Sequence, residues 1–487
     1  MEFLLEKADQ RKLELFSFLE LNQAHSVSLY EIKDALDLSE FLAAKTVSEL
    51  IADIEIYDLE EYYSIVQQDK MITLTKIGKD SINRLIWHYL KDSRRFKLLD
   101  YVFKTNYFSL QTFYEKLYMS KTKAFTLKTK ISDYLQKHEI SLSADYHLIG
   151  NEKHIRLFLF QLYFTGFKNY EFPFDSDITK LVEIFEHELT NILIKRPSES
   201  QRLKLSYFLA IIFQRLDLGH VIEPVELNYK LVIKNEIHLI ENQLNLLANE
   251  FTSLPATNIH NEITFIIDFL ISEDYISSTY LDKKKAPQTS FLTAQFISQI
   301  ESYFNLKLDP QLTLLLINEL DKIHYRIFYY KQLINVWHSF INQEFLKENY
   351  IDFYNFCQIF IHQIDIAEES VNIESFENVL LYDYIFVLLK YFPTDKILDP
   401  IYVTIDFSYG ENYNHFIQLT LKNLPFLYIK IENSLSSHTD IYLSDILPSK
   451  VDCDYLIWNS PPTASDWEAF GNLIIKIRQS AKKRSLV

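Results

Sequence analysis

The sequence predicts a mainly α-helical protein of several domains that ends in a small α/β domain. Its 487 residues correspond to about three to five domains of ordinary size. The 37 Phe and 32 Tyr residues exclude a disordered chain, since disordered segments contain few aromatics. The first proline is Pro173, so the N-terminal third lacks this helix breaker. After residue 400 the pattern changes to short apolar runs that alternate with helical stretches, which is typical of an α/β domain.

The composition excludes several classes of function. The six glycines are too far apart for a phosphate-binding loop, which needs clustered glycines. The two cysteines, Cys357 and Cys453, cannot form a disulfide framework or a cysteine-rich zinc site, which suits a reducing compartment. No apolar run approaches the roughly 18 residues of a membrane span. We therefore expect a soluble cytoplasmic protein with no membrane contact, no metal and no cofactor.

No catalytic motif is recognisable in the sequence. Metal-ligand spacing, a nucleophile elbow and a glycine-rich loop are all missing. Neighbouring carboxylates such as Glu368 and Glu369 are explained more simply by a solvated helix face. The sequence therefore predicts a protein that is not an enzyme.

Two segments of the N-terminal third share the order short helix, tight turn and longer helix. In the first, Ser28 and Glu31 form a capping-box pattern and the turn covers residues 37–39. In the second, the turn covers residues 118–120, and an apolar stripe follows at Ala124, Leu127, Ile131 and Leu135. This spacing is typical of helix-turn-helix units, and two ordinary helical hairpins are the alternative. Residues 140–150 form two alternating runs around a polar tip, which predicts a β-hairpin wing.

The charge is unevenly distributed along the chain. The formal net charge of −17 argues against unspecific binding to nucleic acid. Residues 1–60 contain fourteen acidic and five basic side chains, whereas residues 94–137 contain ten basic and three acidic ones, a net charge of +7. A basic segment in an acidic protein is the electrostatic footprint of a phosphate-binding surface, and a solvated lysine-rich helix is the alternative.

The second helix of the second unit has the side-chain pattern of a recognition helix. At about 100° per residue, Thr122, Thr126 and Thr129 lie opposite the apolar stripe, with lysines on both flanks. Flanking cations reach the phosphates of both groove walls while the threonines face base edges. The acidic first unit has a single basic residue in the equivalent helix. The predicted DNA-contacting residues are Ser120, Lys121, Thr122, Lys123, Thr126, Lys128, Thr129, Lys130 and Lys45.

The remainder of the chain up to residue 395 is predicted to be helical. Prolines bound the amphipathic stretches, and residues 283–287 form the most linker-like segment. Helices are predicted at 176–195, 201–217, 231–250, 260–272, 291–304, 311–329 and 375–391, and later near 411–424 and 465–480. Strands are predicted at 401–407, 426–431 and 455–458. The predicted domains are two winged helix-turn-helix units (1–80 and 81–165, the latter the main DNA binder), two helical bundle domains (166–284 and 285–395) and the α/β domain (396–487).

This order of units resembles the Mga family of transcriptional regulators of low-GC Gram-positive bacteria. The likeness is most specific at residues 107–110, at the turn before Ser120 and at residues 150–158, which are similar to that family's wing-to-helix junction. The resemblance implies a regulator that binds double-stranded promoter DNA. It also implies that the helical domains are similar to regulatory domains that phosphocarrier proteins of the sugar phosphotransferase system phosphorylate on histidine. The C-terminal part is similar to the IIB component of that system.

Three histidines are phosphoacceptor candidates by this resemblance. Two short motifs similar to those of the regulatory domains end in His220 and His324, and His260 is a weaker candidate. The alternative for each is a structural histidine. A IIB component carries its phosphate on a cysteine directly after the first strand, where this chain has residues 408–410 without cysteine, and Cys453 precedes a later strand. A packing or dimer-forming role of the C-terminal domain is therefore favoured over phosphotransfer.

The sequence thus favours a promoter-binding transcription regulator. A homodimer or larger assembly is expected, since one short recognition helix buries little surface and paired subunits double the contacts. An RNA-binding antiterminator is the alternative, because the same regulatory domains occur in such proteins. Those proteins resemble one another in a small β-rich N-terminal domain, whereas this chain begins with helical patterns.

Overall fold

The computed structural model describes residues 2–22, 25–77, 82–105, 109–189, 193, 196–224, 242, 256–277, 284, 286–330, 346–347, 350–364, 377–392, 400–422, 428–448 and 451–485. They divide into two compact bodies. The larger body comprises residues 1–291, 321–340 and 366–379, and the smaller body comprises residues 292–320, 341–365 and 380–487. The described residues are mainly helical, with a small parallel sheet near the C-terminal end, so the predicted fold class is confirmed.

The first winged helix lies at the start of the larger body. After a short 3-10 turn (Glu2–Leu4), it comprises the helices α1 (Lys7–Leu21), α2 (Leu29–Ala35) and α3 (Glu40–Ile56) and the strands β1 (Val27–Ser28), β2 (Tyr63–Gln68) and β3 (Met71–Lys76). The strands form an antiparallel sheet in the order β1-β3-β2. Helix α2 begins with the predicted capping box, since the Ser28 hydroxyl accepts the N–H of Glu31 and the Glu31 carboxylate accepts the N–H of Ser28. This cap fixes the start of the helix and hence the position of the turn after it.

The second winged helix follows in the same body. It comprises α4 (Asn83–Asp92), α5 (Arg94–Lys104), α6 (Leu110–Lys116), α7 (Lys121–Gln136), β4 (Ser141–Leu142) and β5 (Leu148–Ile149). Strands β4 and β5 pair antiparallel with Leu142 opposite Leu148, which confirms the predicted hairpin wing. Each helix-turn-helix is therefore followed by a wing, as the winged arrangement requires, and two ordinary helical hairpins are excluded. Tyr107 and Phe108, which belong to the family-like stretch, lie outside the described residues.

Four further helices lie in the described residues between 152 and 277 of the larger body. They are α8 (Glu152–Phe167), α9 (Ser176–Leu189), α10 (Glu199–Asp217) and α11 (Ala256–Ser272). Helix α8 starts directly after the wing, with the Asn151 side chain accepting the N–H of His154 at 3.2 Å. A Cβ atom at Gly150 would lie 2.9 Å from the Glu139 carbonyl oxygen. The chain therefore needs glycine where the wing passes into α8.

In the described residues up to 392, four further helices follow, and three of them match predicted amphipathic stretches. They are α12 (Pro287–Tyr303), α13 (Pro310–Tyr325), which continues into a π-helical turn (Arg326–Tyr330), α14 (Ile351–His362) and α15 (Glu377–Tyr391). Helix α14 was not among the predicted helices, and nearly all of the predicted helix 231–250 lies outside the described residues. In the smaller body the ring of Phe296 packs against Phe356 and Tyr384, at centroid distances of 5.2 and 4.8 Å.

The C-terminal part of the smaller body is the expected α/β domain. It contains the strands β6 (Ile401–Asp406), β7 (Ile429–Glu432), β8 (Ile441–Ser444) and β9 (Asp454–Ile457) and the helices α16 (Glu411–Lys422) and α17 (Ala464–Ser485). All strand pairs are parallel, in the order β7-β6-β8-β9. Val403 and Leu443 on the central strands pack with Ile417, Phe470 and Ile474 of the helices. Strand β8 was missed by the sequence analysis.

Candidate nucleic-acid interface

The two helix-turn-helix units contain the same tight turn. Asp37 and Tyr118 both adopt φ of 50°, and the residue after each donates its N–H to a carbonyl five positions earlier. Leu38 donates to Lys33 at 2.9 Å, and Met119 donates to Tyr114 at 2.8 Å. This pattern terminates the short helix. The turn therefore sets the direction of the longer helix relative to the short helix in the same way in both units.

The predicted recognition helix is α7, and its buried side is the predicted apolar stripe. Ala124, Leu127, Ile131 and Leu135 are buried. Ser120 caps the helix, because its hydroxyl oxygen accepts the N–H of Lys123 at 3.4 Å. Ser120, which we predicted as a DNA contact, therefore lies at the helix start and has a capping role in the free protein.

The other predicted contact residues of the second unit share the exposed side of α7. Lys121, Thr122, Lys123, Thr126, Thr129 and Lys130 are exposed, and Lys128 is half-buried. Within the described part of the chain, none of the four lysines forms an ion pair with a carboxylate. These charges therefore lie on both flanks of a threonine face and are not neutralised by described carboxylates.

The threonine hydroxyls of this face are bonded to the helix itself. Thr126 donates its hydroxyl proton to the carbonyl oxygen of Thr122 at 3.0 Å, and Thr129 donates to that of Phe125 at 3.1 Å. With the protons engaged, each side chain offers a methyl group and an oxygen lone pair to an incoming ligand. These threonines therefore present hydrocarbon and acceptors rather than free donors.

An aromatic residue of the wing contacts the recognition helix. Tyr146 adopts φ of 65° between β4 and β5, and the Lys128 ammonium lies 4.3 Å from its ring centroid. A cation at this distance over an aromatic face is attracted by the ring, so the wing and the helix are held together at this point. The sequence analysis missed Tyr146, since a contact between a hairpin tip and a helix leaves no periodic signal.

Phe125 is a second residue that the sequence analysis missed. Its side chain is 47% exposed on α7, beside Thr126, and the Lys121 ammonium lies 6.0 Å from its ring centroid. The helical period places it outside the apolar stripe, between Lys121 and Thr129. A large apolar residue outside the buried stripe was the signal that could have identified it.

The equivalent helix of the first unit, α3, is acidic, whereas α7 is basic. Lys45 is exposed on α3, but its ammonium lies 3.6 Å from the Glu49 carboxylate one turn later. Glu40 and Glu55 are exposed on the same helix. Lys45, which we predicted as a DNA contact, therefore lies among carboxylates that repel phosphate.

A buried ion network joins the helix after the wing to the helical part of the larger body. Glu152 of α8 accepts hydrogen bonds from Arg215 of α10 at 2.9 and 2.6 Å and from Arg156 at 2.9 Å. Arg156 also pairs with Glu262 of α11, one of its hydrogen bonds measuring 3.1 Å. Burial raises the pKa of Glu152, but hydrogen bonds from Arg215 and the charge of Arg156 outweigh it, so the pKa lies below its ordinary value. These four side chains are at most 9% exposed and neutralise one another.

The three phosphoacceptor candidates differ in accessibility. His260 is exposed on α11, His220 is half-buried, and His324 is fully buried. Burial lowers the pKa of His324 to about 3. Burial and then the charge of Arg215 lower the pKa of His220 to about 4, and the wing residue His147 adds to the effect. The His220 carbonyl accepts a hydrogen bond of 2.9 Å from Arg156, so the loop that carries this histidine contacts the ion network.

The loop after β6 binds a carboxylate of its own chain. Ser408 donates its N–H to Asp445 at 2.8 Å and its hydroxyl to the same carboxylate at 2.5 Å. These hydrogen bonds lower the pKa of Asp445 below its ordinary value. Cys453, by contrast, precedes β9, and burial raises the pKa of its thiol. Both donors of Ser408 are thus already paired with a carboxylate, which argues against phosphate binding at this residue.

The described residues contain neither a metal site nor a membrane-spanning helix. No group of three or more His, Cys, Asp or Glu side chains is placed to hold a metal ion. None of the helices in the described ranges is both long and apolar enough to cross a bilayer.

The second winged helix is similar to a known family of domains. Residues 78–163 match the family model described as the Mga helix-turn-helix domain, which confirms the resemblance to that family over the second winged helix. The capsule synthesis positive regulator AcpA of Bacillus anthracis is 21% identical over 280 residues, 56% of this chain and 55% of that protein. The regulator AcpB of the same organism, also described as a capsule synthesis positive regulator, is 22% identical over 192 residues, 39% of each chain. The matched part of this chain therefore spans about half the length of AcpA and less of AcpB.

Proposed function

We propose, on the basis of its Mga-type helix-turn-helix domain, that this chain is a transcription regulator that binds promoter DNA through the second winged helix. The observation that carries the proposal is the exposed face of α7, where three threonines lie between two pairs of lysines without carboxylate partners in the described structure. The descriptions of AcpA and AcpB as positive regulators support a regulatory function.

In this proposal α7 enters the major groove with its N-terminal half. Lys121 and Lys128 contact the phosphates of one groove wall, and Lys123 and Lys130 contact those of the other. Asp133 is exposed on the same side of the helix and repels phosphate, so the C-terminal half stays outside the groove. The first winged helix contributes less to affinity because of the carboxylates on α3.

Competition between duplex DNA and RNA tests this function. A labelled duplex, selected by the full chain from a random-sequence pool, is bound and followed by fluorescence anisotropy. We expect the unlabelled duplex to displace it at far lower concentration than single-stranded RNA or an RNA hairpin of the same sequence. If the hairpin displaces the duplex equally well, the antiterminator alternative is favoured. The N-terminal helices and wings of the described structure do not favour that alternative.

We also propose that phosphotransferase phosphocarrier proteins modify the helical region on histidine. His260 and His220 are the candidates that a donor protein can reach, whereas the imidazole of His324 is fully buried. Incubation of the chain with the general phosphotransferase proteins and phosphoenolpyruvate, followed by mapping of acid-labile phosphate, should label His260 or His220 and not His324. If all three histidines remain unlabelled, the proposed regulation by phosphorylation is refuted. The proposal that the chain binds DNA is independent of that result.

We further propose that the chain forms a homodimer through its C-terminal domain. Strand β9 ends the sheet in the described structure, and the apolar side chains of Ile446, Leu447, Tyr455 and Ile457 are exposed on it or on the segment after β8. An exposed apolar sheet edge is a common site of pairing between chains. Light scattering should show a dimer or larger assembly for the full chain and a monomer for the Ile457→Lys variant or after deletion of residues 400–487. An unchanged number of subunits in both variants would place the interface elsewhere.

A further inference from the structure

We infer that α7 recognises its operator chiefly through the methyl groups of thymine, with Phe125 as the main specificity-determining residue. The inference rests on the proposed binding of duplex DNA by the second winged helix and specifies what that helix reads. Three observations carry it: the exposure of Phe125, the hydrogen bonds of the threonines, and the residue types that the helix lacks.

Phe125 is placed where a groove-entering helix meets base edges. Its ring is 47% exposed, lies off the buried stripe and has the Lys121 ammonium 6.0 Å from its centroid. When Lys121 contacts a phosphate, the adjacent ring faces the floor of the groove. The only apolar group that a base pair presents in the major groove is the thymine methyl, and phenylalanine is one of the side chains that contact it.

The neighbouring threonines add further hydrocarbon to the same surface. Because the hydroxyls of Thr126 and Thr129 donate to carbonyl oxygens of α7 at 3.0 and 3.1 Å, they are not free donors to bases. The methyl groups remain, and the threonine methyl also suits contact with thymine. The face therefore favours methyl groups over the oxygen and nitrogen acceptors of guanine.

The part of α7 that enters the groove lacks Arg, Asn and Gln, which read guanine or adenine by paired hydrogen bonds. Residues 121–133 contain no Arg, Asn or Gln, so lysine is the only residue type there that can form a bidentate contact with guanine, and none can form one with adenine. The lysines lie on the flanks of the face, where they meet phosphates. Contact with methyl groups is thus the main direct readout that this face can provide.

Replacing thymine with deoxyuridine in the operator tests the inference, because it removes the methyl group and keeps the base-pairing groups. The probe is a duplex selected by the full chain from a random-sequence pool, synthesised once with thymine and once with deoxyuridine. We expect affinity to fall about fourfold for each contacted methyl group, the factor that corresponds to ~0.8 kcal/mol per buried carbon. The Phe125→Ala variant should lose most of this preference and keep only the part that the threonine methyl groups contribute.

A matched control is the Phe291→Ala variant, since Phe291 is 70% exposed on α12 and lies outside both winged helices. It should retain the full preference for thymine. Equal affinity of the unmodified chain for the two duplexes would overturn the inference and leave the proposed function intact. An undiminished thymine preference in Phe125→Ala would overturn the assignment to Phe125. Failure to bind any duplex would instead overturn the proposed function itself.

Discussion

Replacement of Lys121, Lys123, Lys128 and Lys130 with alanine is expected to flatten the salt dependence of duplex binding. Each phosphate contact contributes about −0.9 to the slope of log affinity against log salt on B-DNA, so the loss of four contacts changes the slope by about three to four units. Affinity should fall most at low salt, where the released counterions matter most. Fluorescence anisotropy over a series of salt concentrations measures the slope, and circular dichroism verifies that the variant is folded.

The first winged helix provides a control with the same change in charge. Its lysines Lys33, Lys45, Lys70 and Lys76 all form ion pairs with carboxylates, at N–O distances of 2.7–3.7 Å. Their replacement with alanine should leave the slope almost unchanged, because they are partly neutralised and lie on the acidic unit. If both quadruple variants flatten the slope equally, the effect comes from overall charge and the placement of DNA on α7 is wrong.

The second large effect is expected from the buried ion network. The Arg156→Met variant leaves Glu262 with the N–H of Ile222 but without its guanidinium partner, and it deprives Glu152 of one of its two guanidinium groups. Removing one member of a buried ion pair typically costs about 3–5 kcal/mol, since the remaining charge is buried without compensation. Urea unfolding of the full chain, followed by the circular dichroism of the helices, should show this loss in the free energy of unfolding.

Two further variants test whether the loss of stability comes from the buried network or from any substitution of a paired cation. The Lys180→Met variant disrupts an exposed pair with Asp177, whose side chains are 70% and 88% exposed, and should cost less than about 1 kcal/mol. The Arg156→Met, Glu262→Gln double variant should recover part of the stability, because it removes the unpaired charge as well. A single variant no less stable than the unmodified chain would show that the network contributes little to stability.

Local signals allowed much of the second winged helix to be predicted from sequence. The turn at residues 118–120, the apolar stripe of α7 and the hairpin after it each depend on residues that lie close together in the sequence. For the same reason the capping box at Ser28 was recognisable. Such features leave a pattern in any short window of the chain.

Features that depend on distant residues were missed. Arg156 and Glu262 are 106 positions apart, and no periodic pattern links them. Tyr146 contacts Lys128 only because the wing folds back on α7. Strand β8 is held in the sheet by parallel pairing with β6, in which Ile441 lies opposite Val403.

The ion network has a consequence for any signal that acts on the helical region. Arg156 binds the carbonyl of His220 and also Glu152, the first residue of the helix that follows the wing. If an event at the His220 loop alters the affinity for DNA through this link, thermodynamic linkage requires the reverse coupling to be equally strong. Binding of an operator to α7 would then change the equilibrium constant of the event at the His220 loop by the same factor. The promoter would thus act as an effector of its own regulator.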